Sequence, residues 1–273
     1  MDQQQVLQLL ASTLESASTK AAASQLEQLV KNPDFPIALL SIAADPQIPV
    51  AIRQAALLQL KQVIGKTWSS NLEEYEADCP LSDTNKLHLR QSLLTLATND
   101  GERRITSFAS YCVASIASAD FPDQWPDLLT NLLDLVPRSN EQQLHAVLIV
   151  LGNLVEDGFD EDQFSTSAVQ LVNCLRDVTA DPHKKLTSRA LAVSSFRACF
   201  DTLELVYENN QQAVKQFMQD AADAWLPLFI DILRTPLPHM PTTDEELEGH
   251  PSVTAWRGVV ALKTQVVKVG LFS

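Results

Sequence analysis

Residues 21–68 read AAASQLEQLVKNPDFPIALLSIAADPQIPVAIRQAALLQLKQVIGKTW. Prolines divide this stretch into helical segments. Pro33 and Pro36 stand at the start of one segment. Pro46 and Pro49 stand between its end and the start of the next. A missing N–H costs little at such boundaries. In the second segment Ile52, Ala55, Ala56, Leu60, Val63 and Ile64 recur at steps of three and four, which places them on one helix face. The stretch therefore reads as an antiparallel helix pair of about 35–45 and 49–66.

The same pattern runs outward in both directions. Leu144, Val147, Leu148, Leu151, Leu154 and Val155 share one face, as do Val214, Phe217, Met218, Ala221, Trp225, Leu228, Phe229 and Ile232. Twelve helices are expected in six pairs: 3–17 with 19–31, 35–45 with 49–66, 83–99 with 101–118, 124–136 with 140–156, 161–180 with 183–208, and 210–235 with 251–271. All but one of the 14 prolines fall between these helices or in their first turns. Pro227 is the exception, and a kink is expected there. The first helices recur about every 41 residues, the period of HEAT-type repeats rather than of ankyrin or tetratricopeptide repeats. The expected fold is an all-α HEAT-repeat solenoid, a right-handed superhelix of antiparallel helix pairs, with a compact helical bundle as the competing architecture. The polar first pair suits a capping repeat. The last helix carries Val259, Val260, Leu262, Val266, Val267 and Val269 up to Leu271–Phe272, a bare apolar flank that implies an N-terminal fragment of a longer array.

Composition removes other classes. The chain has 273 residues, 34 acids, 20 bases and a net charge of −14, with 7 glycines and 45% apolar residues. Apolar content of that size does not suit a disordered acidic tail, and few glycines argue against phosphate-cradling loops. The negative balance disfavours nucleic acid and anionic membrane as partners and favours basic ones. The apolar run Ala146–Leu151 is far short of a membrane span. Cys79, Cys112, Cys174 and Cys199 are scattered, which opposes a disulfide framework or a zinc site. His88, His145, His183, His239 and His250 are far apart, and no H-E-x-x-H, G-x-S-x-G or G-x-x-x-x-G-K occurs. Neither an enzyme nor a metal or cofactor site is expected.

Three segments carry a resemblance. Residues 21–68 resemble the N-terminal domain of importin-β-type karyopherins through Leu26, Pro33–Phe35, Leu39–Leu40, Ile52–Ala56, Leu60–Lys61, Ile64 and Trp68. DFPDQWPDLL (Asp120–Leu129) is similar to the family's phenylalanine/tryptophan-proline helix start. LTSRALAVSSFRAC (Leu186–Cys199) and TPLPHMPTTDEELEGHPSV (Thr235–Val253) are similar to the importin-nine branch. Gln62 departs from the asparagine that many members carry. The resemblance implies an importin-β N-terminal domain at about 21–100 within a six-repeat array over 1–273. It implies a nuclear transport receptor that shuttles between cytoplasm and nucleus. Its partners would be Ran in its GTP form, Phe-Gly nucleoporins and basic cargo such as core histone dimers. An exportin of the same superfamily and a Ran-independent HEAT scaffold are the alternatives.

Particular residues stand out against this background. On the helix over 49–66, Arg53, Leu57 and Lys61 form one row away from the core stripe, and Gln54, Leu58 and Gln62 form the next. These are either a solvated face or a GTPase contact. Arg103 and Arg104 occupy a first helical turn, where positive charge opposes the helix dipole. Either a partner or pairing with Asp100 and Glu102 accounts for them. Ser107 and Tyr111 lie on the same side. Glu156, Asp157, Asp244, Glu245 and Glu246 suit basic cargo or a basic patch on Ran, or else a solvated turn and a loop. Trp125, Leu129, Trp225 and Phe229 suit either Phe-Gly pockets between outer helices or the core inside a pair.

Overall fold

The computed structural model describes residues 2–15, 19–76, 80–99, 101–158, 161–207, 211–239 and 251–270. Side chains at 157–166, 203–211, 213–214 and 270 lie outside that description. Cys79, Asp100, Asp244, Glu245, Glu246 and His250 are likewise outside the described residues.

Among the described residues there are twelve α-helices and no strand. They are α1 Gln3–Thr13, α2 Thr19–Leu29, α3 Phe35–Ala44, α4 Val50–Thr67, α5 Asp83–Asn99 and α6 Arg103–Asp120. Then come α7 Leu128–Leu135, α8 Glu141–Asn153, α9 Glu161–Ala180, α10 Leu186–Tyr207, α11 Gln211–Arg234 and α12 Pro251–Gly270. The chain divides into two compact units, Met1–Leu128 and Leu129–Ser273.

In the first unit α1 packs on α2, α3 on α4 and α5 on α6. First helices also pack on first helices (α1 on α3, α3 on α5), and α4 packs on α6. In the second unit α9 pairs with α10 and α11 with α12, while α10 lies against both α8 and α12. Each pair thus buries its apolar stripe against a neighbouring pair, the logic of an all-α HEAT-repeat array.

The core of the first unit includes Phe35, Leu39, Ile42, Leu57, Leu60, Ile64, Leu89, Leu93 and Ile116, all fully buried. Each contributes about 1.5–3 kcal/mol relative to exposure. Polar groups tie the pairs together at their ends. Asp120, at the end of α6, accepts from Trp68 Nε1 at 2.9 Å and from Arg90 Nε at 2.8 Å, with a further bond from the same guanidinium. Lys86 and Arg90 both sit 5.6 Å from the Trp68 ring centroid. One carboxylate therefore joins α4, α5 and α6.

A second device repeats along the chain. Arg53 Nε donates to Ala43 O at 2.7 Å, and Arg189 Nε donates to Thr179 O at 2.7 Å. In each case the fourth residue of a second helix caps the end of the first helix of its own pair. The preceding turn is also shared, since Asp45 accepts from Gln47 N at 2.9 Å and Asp181 from His183 N at 2.8 Å. Both stretches read A-D-P followed by six residues and arginine.

Several expectations need correction. A helix start near 124 gives way to a turn in which Gln124 N and Trp125 N both donate to Asp120 O, and α7 begins at Leu128. Pro126 explains this, because the residue before a proline is pushed out of the helical region. After α8 the chain makes a π-type turn over 154–158 instead of continuing as an α-helix. α11 does not end at Pro227, the site of the expected kink, but includes it. Pro227 and Asp223 are both exposed, so the carbonyl that loses its partner has access to water. The apolar flank of α12 is covered only in part, with Val260 and Val269 half-buried. Val259, Leu262 and Val266 are buried, and Val267 is half exposed.

Asp120→Ala is expected to destabilise the protein by about 3 kcal/mol, because it strands a guanidinium and an indole N–H. Urea unfolding followed by tryptophan fluorescence measures this. Burial pushes the Cys112 thiol from 9.0 up to about 12. Above pH 9.0 the unfolded chain releases this proton while the folded one keeps it, so stability should fall as pH rises towards 12. A shallower alkaline loss in Cys112→Ala than in wild type is the expected comparison.

Candidate functional site

α4 and α6 lie side by side and run in the same direction. Three contacts join the two helices. The Cys112 thiol donates to Leu57 O at 3.5 Å, Lys61 Nζ stands 5.4 Å from the Tyr111 ring centroid, and Trp68 Nε1 donates to Asp120. Seven residues before Lys61 is Gln54, and seven before Tyr111 is Arg104. With a rise of about 1.5 Å per residue in both helices, these two stand at similar distances before the Lys61–Tyr111 contact.

The face so formed has a distinctive chemistry. Lys61, Gln62, Arg103 and Arg104 are exposed, and Gln54 and Ser107 are half-buried. Leu58 is 49% exposed and Tyr111 37%. Tyr111 meets Phe108 edge-on, with centroids 6.0 Å apart and planes at 87°. α4 contains no carboxylate, and the one on α6 is the buried Asp120. In a chain of net charge −14 this is a local reversal of sign.

The arginines gain nothing from their own helix. Arg103 opens α6, and the Arg104 backbone N–H donates to Glu102 Oε1 at 3.4 Å. Among the described residues neither guanidinium forms a salt bridge with Glu102 or any other acid. Asp100, the other expected partner, is outside the described residues.

Arg53 does not join this face. It is 4% exposed, and its guanidinium is committed to Ala43 O. Leu57 is fully buried too. The expected row of Arg53, Leu57 and Lys61 therefore turns inward at its first two positions, because α4 packs against both α3 and α6. A single-stripe reading underestimates a helix with two neighbours.

The aromatic candidates also sit deeper than an open pocket needs. Trp125, Leu129 and Trp225 are buried. The Trp225 ring stacks on Phe196 with centroids 3.8 Å apart, and half-buried Phe229 lies 5.4 Å from Trp225. What α11 does expose is a row that the sequence reading missed: Leu226, Ile230 and Leu233, followed by Leu237 beyond the helix end. The 3-4 spacing is in the sequence, but α11 is apolar on several sides there, which hid it.

Among the expected acidic residues, Glu156 is exposed in the turn after α8, and the Asp157 side chain is outside the description. A further acidic group surrounds Lys66, whose Nζ is 3.0 Å from Glu76 and 3.9 Å from Glu27. Its hydrogen bond to Glu76 and the charge of that carboxylate hold the Lys66 pKa above its usual value. Glu73 and Glu74 are exposed in the same segment. Among the described residues no three His, Cys, Asp or Glu side chains are grouped to hold a metal, and no helix is long and apolar enough to cross a membrane.

Residues 22–98 match the model of the Importin-beta N-terminal domain. Importin subunit beta-5 of Schizosaccharomyces pombe is 31% identical over 208 residues, which is 75% of this chain and 21% of that protein. Exportin-2 of Danio rerio is 24% identical over 247 residues, 86% of this chain and 25% of that protein. Among solved structures, the exportin Cse1 in its cargo-free, cytoplasmic state superposes with a TM-score of 0.68 at 19% identity, over 98% of this chain and 29% of the other. The chain thus spans about a fifth to a quarter of the length of these curated relatives. Residues 22–98 thus form an Importin-beta N-terminal domain, and the chain is similar to importin-β-type karyopherins over most of its length.

Arg53→Ala is expected to cost about 1–3 kcal/mol, since Ala43 O loses its buried donor. Arg103→Glu should instead raise the melting midpoint slightly, by up to about 1 kcal/mol in stability, because an acid suits the start of α6. Thermal melts of the two variants in low salt separate the structural arginine from the surface one.

Proposed function

We propose that this chain is the Ran-binding repeat array of a nuclear transport receptor that shuttles between cytoplasm and nucleus. Ran·GTP docks on the face of α4 and α6, against Gln54, Leu58, Lys61, Gln62, Arg103, Arg104 and Ser107, with the Tyr111 ring beneath Lys61. The observation that carries this reading is the cationic surface on two adjacent second helices, neither of which carries an exposed carboxylate, in an otherwise acidic chain. Arg53 supports that face from within by capping α3.

Basic protein, with core histone dimers as the expected cargo, meets the acids instead. Glu156 and the Glu27, Glu73, Glu74 and Glu76 group support this, along with Asp157, Asp244, Glu245 and Glu246 by their sequence. If Ran·GTP and cargo prefer different states of the array, each weakens the other by the same factor. Phe-Gly segments of nucleoporins dock on first helices, supported by the exposed row Leu226, Ile230 and Leu233 on α11 beside α9. Phe229 borders that row and Trp225 is buried against Phe196, whereas Trp125 and Leu129 are buried and offer no open pocket.

The likeness to Exportin-2 supports a second reading, in which cargo and Ran·GTP bind together. A cargo titration of the full-length protein with and without Ran·GTP separates the two. Weaker cargo binding with Ran·GTP is the import outcome, and tighter binding is the export outcome.

For the receptor reading itself, residues 1–273 should retain Ran·GTP and not Ran·GDP in a pull-down. Lys61→Glu combined with Arg103→Glu and Arg104→Glu should lower that retention at least about tenfold, as expected for charges reversed across an interface. Equal retention of the two nucleotide states by the wild type, or undiminished retention by the folded triple variant, would overturn the assignment.

A further inference from the structure

We infer that Tyr111 is a positioning residue that holds the Lys61 ammonium ready for an acidic side chain of Ran·GTP. The inference rests on the receptor reading above and adds to it which group fixes the cation.

Lys61 is exposed on α4, yet its Nζ lies over a ring carried by a different helix, 5.4 Å from the centroid. The face of an aromatic ring attracts a cation through its quadrupole, most strongly when water is displaced. Among the described residues Lys61 makes no salt bridge. Neither α4 nor α6 offers an exposed carboxylate to compete with the ring. The ammonium is therefore located but not neutralised.

The ring is itself held in place. Phe108 meets it edge-on one turn earlier. The next residue, Cys112, donates to Leu57 O at 3.5 Å, which keeps α6 in register with α4 at this point. Leu58, half exposed, stands three residues before Lys61 on the same helix. The result is an apolar side chain, an aromatic ring and an oriented cation presented together.

Such an arrangement suits a protein surface that brings a carboxylate beside an apolar side chain. A free lysine on a helix surface must be ordered when it forms an ion pair, and that ordering opposes binding. A lysine already resting on a ring loses less freedom. The ring acts through the lysine, so its own hydroxyl is not required.

The test is a double-mutant cycle on the folded chain, read as the dissociation constant for Ran·GTP at two salt concentrations. Tyr111→Phe should bind within about twofold of wild type. Tyr111→Leu, which keeps an apolar side chain but no ring, should weaken binding about threefold to fivefold. In a Lys61→Met background the same Leu substitution should have no further effect. In the free protein, NMR should show the Lys61 side-chain protons shifted upfield by the ring, a shift retained in Tyr111→Phe and lost in Tyr111→Leu.

Tyr111→Leu binding like wild type, or weakening binding equally with and without Lys61, overturns the positioning role. Failure of the wild type to bind Ran·GTP is a different result. It overturns the receptor reading and, with it, the partner assigned to Lys61.

Discussion

The first unit depends on how one buried carboxylate is satisfied. Asp120 sits at the end of α6 and is 5% exposed. An ionised group in that position is costly unless it is paired and hydrogen-bonded. Trp68 supplies an N–H from the end of α4, and Arg90 supplies charge and donors from α5. The same residue's backbone carbonyl accepts the two N–H groups that start the next turn. Three helices and a turn are therefore fixed by one residue. With the far ends of α4 and α6 tied there, the sulfur contact at Leu57 and the ring contact at Lys61 follow along the same interface.

A matching constraint operates inside the pairs. The arginines at 53 and 189 cap the first helix of their own pairs with near-identical geometry, one in each unit. Each guanidinium reaches a carbonyl at the end of the first helix while its stem fills space within the pair. Burial lowers the Arg189 pKa, and Asp181 opposes that shift. These arginines belong to the architecture. Arg103 and Arg104 do not, since they oppose their own helix dipole and make no salt bridge among the described residues. Cations of the same chain thus fall into two kinds, separated by burial.

The net charge of −14 acquires meaning only when placed. Acids gather around Lys66 and appear in the turn after α8, whereas the face of α4 and α6 has none exposed. An acidic chain that keeps two adjacent helices free of exposed carboxylates can meet partners of opposite charge without their competing for the same residues. Screening limits such contacts to roughly 8 Å at physiological salt, so the local arrangement matters more than the total.

Much of this was legible in the sequence. The helix count among the described residues, five of the six expected pairings and most helix limits follow from apolar periodicity and from where proline can and cannot stand. The importin-β resemblance at 21–68 rests on residues such as Trp68, whose task the structure then explains. The positions of Arg103 and Arg104 in a first turn, and of Tyr111 one row along, were also readable. What a linear pattern does not contain is how many neighbours each helix has. α4 is flanked by α3 and α6, so Arg53 and Leu57, which stand off its main stripe, are buried. α11 is apolar on several sides, so only packing decides that Trp225 turns inward and Leu226, Ile230 and Leu233 stay outside. Periodicity fixes a helix and its principal face, because it depends on the backbone repeat alone. Which other faces are covered, and which cation finds a ring or a carbonyl, depends on contacts between residues tens of positions apart, and only the tertiary structure sets those.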